Sequence, residues 1–259
     1  MRLPHFLISI ITSLFFHTAA AWSSQGHQLV ATIASMHPAY KHVESTIQSD
    51  IKPLLSLTPS VHDFVSSSHW LDDLKSDTHV FDPWHYIDLD IETGMTNSSI
   101  NVVFAIQHLE KEPPGSSPFY RAFRVYALSH LVGDIHQPLH CADRGDRGGN
   151  DFHIHGVAHV RNLHALWDEG AGLFSGAHIP DLAASIMAEF PDKDKEDSYA
   201  SDPSAWAIES WNLAKQYVYN DIEPDTVPSD QYIAQSQEIV KQQVARAGYR
   251  LAKMLSVPT

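Results

Sequence analysis

Apolar residues recur every three or four positions over 27–37, 97–112, 119–137, 202–220 and 229–255, and Pro38, Pro53, Pro113, Pro114 and Pro138 punctuate the runs. That period sets one face of a helix against a core, so the pattern predicts a mainly helical chain. The last stripe, Ile233, Val240, Val244, Leu251 and Leu255, follows the helix-opening pair Ser229-Asp230 and is expected to pack on the core. Two segments lack the period: 78–94 (THVFDPWHYIDLDIETG) and 141–160 (CADRGDRGGNDFHIHGVAHV). Their glycines, aspartates and alternation predict loops with at most short strands. With no evident repeat, low-complexity tract or linker, one all-α domain over 22–259 is the economical reading.

The chain opens MRLPHFLISIITSLFFHTAAAW. Arg2, the apolar run Phe6 to Phe16 and the small residues Ala19-Ala20-Ala21 have the order of a secretory signal peptide over 1–21, cleaved before Trp22. The expectation is therefore a secreted or periplasmic protein with no membrane span after processing, and most simply a monomer. Cys141 is the only cysteine, so an intramolecular disulfide is excluded and stability must come from the core or from metals. A formal charge of −14 argues against a broad basic groove for phosphates. The 18 histidines against 17 Lys plus Arg are more informative, because imidazole is the commonest metal ligand among side chains. Asn97-Ser98-Ser99 is an N-glycosylation sequon wherever the host glycosylates.

HLVGDIHQPLH, 130–140, carries the chemistry. His130 and Asp134 are four apart and share a helix face, and His140 follows just past Pro138, where the helix should end. NLHALWDE repeats the spacing with His164 and Asp168. One such pair is weak, since exposed helices with salt bridges produce it often. Two pairs and a third histidine point to a multi-metal site, and imidazole plus carboxylate without thiolate suits catalytic Zn²⁺.

With these motifs, WSSQGH, HWLDDLK, PWHYID and GGND occur in an order that resembles the secreted zinc-dependent single-strand-specific nuclease/3′-nucleotidase family, related to zinc-dependent phospholipase C. The resemblance implies an all-α fold with three Zn²⁺ ions. By that resemblance Asp72, His85, His130 and a bridging Asp134 hold one ion. Asp134, His27 and the mature terminus of Trp22, through α-amine and carbonyl, hold a second; His140, His164 and Asp168 hold the third. It further implies Lys75 as a cation near the scissile phosphate, with Asp72 catalytic as well as ligating. Asn150 matches a substrate-binding position, Tyr86 one that stacks on a base, and Asp88 one that hydrogen-bonds it. The implied activity is cleavage of single-stranded DNA and RNA to 5′-phosphorylated products, with 3′-nucleotides as further substrates. The single Cys and sequon fit a bacterial-type member, and His69 stands where small residues or Thr are common.

Elementary chemistry is compatible with this. A free α-amine with a pKa of about 7.7–8.0 loses its proton to a metal easily, whereas a chain amide is a poor ligand. Three divalent ions would reverse the acidic field locally and so remove the objection from net charge. A base stacked on Tyr86 must first be unstacked from its neighbours, which favours single strands. His136 is expected to orient a ligand or the helix end, or to hydrogen-bond in the interior, and His153, His155 and His159, alternating as in a short strand, to be surface or hydrogen-bonded core histidines. His62, His69 and His79 are unassigned. Trp70, Trp84 and Trp167 should pack site walls, Gly145, Gly148 and Gly149 should make turns, and Asp143 and Asp146 should be solvated. Asp73 competes with Asp72. The rivals are a phospholipase C, a histidine-rich metal store, and a Ser-His-Asp hydrolase, which the lack of GxSxG disfavours.

Overall fold

The computed structural model describes residues 22–192 and 202–257, so the signal-peptide reading of 1–21 lies outside the described residues. Ten α-helices follow in order: α1 (Ser24–Met36), α2 (Pro38–Leu55), α3 (Phe64–Ser67), α4 (Trp70–Asp73), α5 (Val102–Leu109), α6 (Pro118–Asp134), α7 (Leu163–Asp168), α8 (Ile179–Glu189), α9 (Pro203–Leu213) and α10 (Asp230–Ser256). The expected all-α class holds, and among the described residues no helix is long and apolar enough to cross a membrane.

Helix boundaries follow their caps. The side chains of Asn101, Ser117, Asn162 and Ser229 accept the first free amides of α5, α6, α7 and α10. The Asn101 cap starts α5 at Val102, later than the apolar period beginning at 97 suggested. Pro38 begins a helix where a break was expected, because a first-turn proline has no N–H to lose. Pro53 lies inside α2, two residues before its end, where no break in the helix follows from it. Helices α2 and α8 escaped the periodicity reading: α8 buries only Ala183 and Ile186, too sparse a stripe to register.

α6 is the central element. From Arg124 to Asp134 every residue is buried, as expected of a helix surrounded by protein. Helices α1, α2, α5 and α10 pack against it. Arg124 is tolerated inside because its guanidinium donates to the carbonyls of Leu109 and Glu110 at the end of α5. The predicted stripe of α10 is buried at Val240, Val244, Leu251 and Leu255 and half-buried at Ile233, with α1 and α2 as neighbours.

The two aperiodic segments lie against each other. The Ile87 N–H donates to His140 O (2.8 Å), Asp143 N–H to Leu89 O and Ile91 N–H to Asp143 O (both 2.9 Å). This extended stretch buries Ile87, Leu89 and Ile91 and exposes Tyr86 and Asp88. A 3₁₀ turn, Asp82–His85, precedes it, a helical element the loop expectation did not include. His153, His155 and His159 are exposed, the surface alternative and not the core one, with single bridges at His153 and Ile154. Asn97 is exposed.

Candidate metal centre

Asp134 ends α6 with its carboxylate fully buried among imidazoles from four parts of the chain. Its Oδ1 lies 3.5 Å from His27 Nε2 on α1 and 3.5 Å from His140 Nδ1. Its Oδ2 lies 3.0 Å from His85 Nδ1 and 3.2 Å from His130 Nε2, one helical turn earlier on α6. Asp72, on α4, brings Oδ1 to 3.6 Å from His130 Nε2 and 3.7 Å from His85 Nδ1. His27 stacks on His130 with centroids 3.8 Å apart. Three trios of ligand atoms therefore cluster: His27, Asp72 and His130; His85, His130 and Asp134; His140, His164 and Asp168. In the last, Asp168 lies 3.6 Å from His140 Nε2 and 3.4 Å from His164 Nε2.

The hydrogen bonding suits metal ions. His130 Nδ1 is 2.8 Å from Ser68 O, His140 Nδ1 2.9 Å from His85 O and His164 Nδ1 2.7 Å from Gly148 O. A carbonyl can only accept, so in each ring Nδ1 carries the proton and Nε2 offers its lone pair to the cluster. Both ring nitrogens of His27, His85 Nε2, His140 Nε2 and Asp134 Oδ1 are buried without a hydrogen-bond partner. Orphaned buried donors and acceptors are costly, and a cation supplies the missing partner. Mixed N/O donors without thiolate match a borderline ion such as Zn²⁺.

Charges respond to this crowding. Burial alone would raise the Asp134 carboxyl, yet the imidazoles of His130, His85 and His140 hold it well below the carboxylate range. Asp72 is likewise opposed by burial but is drawn down to about 2 by His130, Lys75 and His27. His27 is pushed well down by burial and then by His130. At Asp168 burial wins: it pushes the carboxyl up to about 8, although His164 and the Gln137 amide oppose the rise. A cation beside Asp168 would return it to the charged form.

The neighbouring cleft, about 350 Å³, is lined by Lys75, Asp82, Tyr86, Asp88, Arg147 and Asn150 together with His85, His140 and His164. Lys75 Nζ lies 2.6 Å from Asp72 Oδ1. Tyr86 and Asp88 open into this cleft from the extended stretch, and Asp88 is raised by burial and by Asp143. The Asn150 side-chain amide donates to Arg147 O at 2.9 Å. Trp22 is fully buried; its indole Nε1 donates to Gly133 O (2.8 Å), and the next amide, Ser23 N–H, donates to Asp168 O (2.9 Å).

Twelve of the thirteen sequence-derived positions thus fall at the clusters or on the cleft beside them, and the thirteenth, Trp22, abuts Gly133, the neighbour of Asp134. Asp73, the rival to Asp72, points elsewhere: its carboxylate takes Ser60 Oγ and is 42 % exposed. His136 is buried between Val132 O and the Arg250 guanidinium, an interior hydrogen-bonding role as expected. Trp167 and Trp70 are buried and Trp84 packs on Phe81 and Phe123, but none of the three lines the cleft.

Asp143 and Asp146 are not merely solvated. Asp143 Oδ1 accepts from the amides of Gly145, Asp146 and Gly148, and Asp146 Oδ1 accepts from Gly149 N–H and the Tyr219 hydroxyl. The cause is a tandem triplet, Asp143-Arg144-Gly145 then Asp146-Arg147-Gly148, which a search for long repeats passes over. Each aspartate ties down the amides that follow it, an Asx-turn habit readable from the sequence. Gln137 was also missed: its amide donates to Asp168 Oδ1 (2.8 Å) while its Oε1 accepts from Leu139 N–H. So was His69, whose ring nitrogens lie 3.7 Å from Asp72 and 3.5 Å from Asp73.

Gly148 has φ +60°, and a Cβ there would stand 2.6 Å from the Leu139 carbonyl oxygen. Backbone cannot yield as a flexible side chain can, so Gly148→Ala should lower unfolding free energy by about 1–3 kcal/mol in a urea titration. Because Gly148 O holds His164, the same variant should broaden the His164 imidazole NMR signal; a native melt and native signal would refute this account.

Comparison with known proteins places the geometry in context. The profile of the S1/P1 Nuclease family matches residues 22–257. The chain is 26% identical to Endonuclease 2 of Arabidopsis thaliana over 285 residues, covering 97% of this chain and 96% of that protein. It is 28% identical to Nuclease S1 of Aspergillus oryzae over 288 residues, covering 96% of each. Endonuclease 5 of Arabidopsis thaliana is 31% identical over 143 residues, covering 50% of this chain and 48% of that protein.

Proposed function

The chain belongs to the S1/P1 nuclease family, and from that premise we propose that it is a secreted three-zinc enzyme that cuts single-stranded DNA and RNA to 5′-phosphorylated products and also acts on 3′-nucleotides. Its class is that of a metal-dependent endonuclease, a hydrolase of phosphodiester bonds in nucleic acid, and the phospholipase alternative is not favoured. The observation that carries the metal reading is the Asp134 carboxylate, 3.0–3.5 Å from four imidazoles. In this reading Asp72, His85, His130 and Asp134 hold one ion, and Asp134, His27 and the α-amine and carbonyl of Trp22 hold the second. His140, His164 and Asp168 hold the third. The start of the family match at Trp22 supports processing at that residue.

When bound, the ions supply Lewis acidity, polarising water and phosphate oxygens and offsetting charge on the leaving group. The chain's own groups do the rest. Lys75, held by Asp72, presents a cation beside the scissile phosphate. Tyr86 offers an exposed ring face for one base, and Asp88 accepts from that base's N–H groups. Asn150, anchored on Arg147 O, orients the nucleotide. A base paired and stacked in a duplex cannot occupy this pocket without being extruded, so single strands are preferred.

The test is a set of three substrates, a single-stranded oligonucleotide, a 3′-nucleotide and phosphatidylcholine, each with and without chelator, with metal content measured in parallel. Expected are turnover of both nucleotide substrates, none of the lipid, loss with chelator, and about three zinc ions per chain. Lipid turnover without nucleotide turnover would overturn the assignment.

A further inference from the structure

We propose that Arg147 binds a phosphate of the polynucleotide other than the one being cut, and so tunes the enzyme toward chains over minimal substrates. This rests on the nuclease reading above. Among the described residues, Arg147 is, apart from Lys75, the one Lys or Arg lining the cleft, whose other charged walls include Asp82, Asp88 and Asp143. A strand of phosphates entering a protein of charge −14 meets few compensating cations here. Lys75 is committed to Asp72. Among the described residues Arg147 makes no ion pair with the His/Asp clusters; its carboxylate partner is Asp151.

Two observations show that Arg147 is held for presentation. Its backbone has φ +56°, a conformation L side chains rarely adopt, and its carbonyl accepts both the amide N–H and the side chain of Asn150. The cationic residue and the nucleotide-orienting residue therefore form one rigid turn. Its guanidinium, 69 % exposed, is clamped by Asp151 through Nε (2.9 Å) and Nη2 (2.6 Å). That engages two of five donors and leaves the rest of the fork for a second anion. An exposed pair of this kind contributes little to stability, which gives the clamp little value as a fold element. The contrast with Arg144, its counterpart in the tandem triplet, is direct. Arg144 lies over the rings of Phe152 (5.1 Å) and Tyr219 (4.4 Å) and serves packing.

The experiment compares wild type, Arg147→Gln and Arg147→Lys on an octanucleotide and on a dinucleoside monophosphate, which has only the scissile phosphate. For Arg147→Gln, the ratio of kcat/KM on the octanucleotide to that on the dinucleoside should fall about tenfold, the size of a lost charge-assisted contact. The slope of log kcat/KM against log salt for the octanucleotide should become shallower by about 0.7, one single-strand phosphate contact. Arg147→Lys should keep the salt slope and lose part of the ratio, because charge survives and the fork does not. If either the ratio or the slope of Arg147→Gln stays at the wild-type value, the assignment is overturned while the nuclease reading stands. A wild type that cuts neither substrate overturns both.

Discussion

Replacing Asp134 with asparagine should remove nearly all activity. The change keeps the shape but turns a shared carboxylate into an amide whose NH₂ cannot ligate a cation. Asp134 Oδ1 and Oδ2 each face two imidazoles, so its loss affects two of the three ligand clusters and reaches His140 of the third. Metal assistance contributes several kcal/mol to such transition states, which corresponds to at least about a 1,000-fold fall in kcat/KM. Metal per chain, read by inductively coupled plasma mass spectrometry, should fall with it. Asp73→Asn is the matched control, since that carboxylate lies outside the clusters, and it should stay within about twofold, the scale of an ordinary exposed substitution. Asp134→Asn with full metal content and activity within tenfold of wild type would remove Asp134 from the site.

One alanine placed before Trp22 should be almost as damaging. Trp22 has no exposed surface: its indole is tied to Gly133, its ring meets Phe174 edge-on at 5.8 Å, and Ser23 N–H is tied to Asp168 O. A Cβ at Gly133 would sit 3.0 Å from His27 Nδ1 and 3.7 Å from Trp22 Cδ1, so this position is tight against the His27 ring and in ordinary contact with Trp22. Trp22 and Ser23 are therefore wedged between Gly133, the residue preceding Asp134, and the backbone of Asp168. An added residue converts the proposed α-amine ligand into an amide that does not surrender its proton near neutrality. Loss of that donor should lower activity about 100-fold, the upper end for a disrupted metal partner. A melting curve close to that of the Trp22-start protein would show that folding is not the cause. Equal activity of the two forms would rule out the terminal ligand.

The helical class was legible because helix packing writes its period into the chain, and α6 and α10 carry that period at length. The pairs His130/Asp134 and His164/Asp168 were legible because the i, i+4 spacing is set by local geometry alone. His85, Asp72, His27 and Trp22 have no local relation to those pairs and were reached only through motif resemblance. Gln137 and His69 were not reached, since each acts through a partner distant in sequence or on another turn. The aspartates of the tandem triplet were misjudged because their acceptors serve backbone amides, which side-chain chemistry does not advertise.

What the sequence alone determined, then, is the class of fold and the chemical types of the ligands, both consequences of short-range spacing and residue identity. Which atoms meet was decided by tertiary packing. Helix α1 stacks His27 on His130, and the Ser68, His85 and Gly148 carbonyls select one tautomer in each of three rings. The loop of paired aspartates fixes Arg147 and Asn150 on the cleft. These contacts join residues separated by up to 107 positions of chain, as between His27 and Asp134, and only burial in a common core brings such residues within reach of one ion.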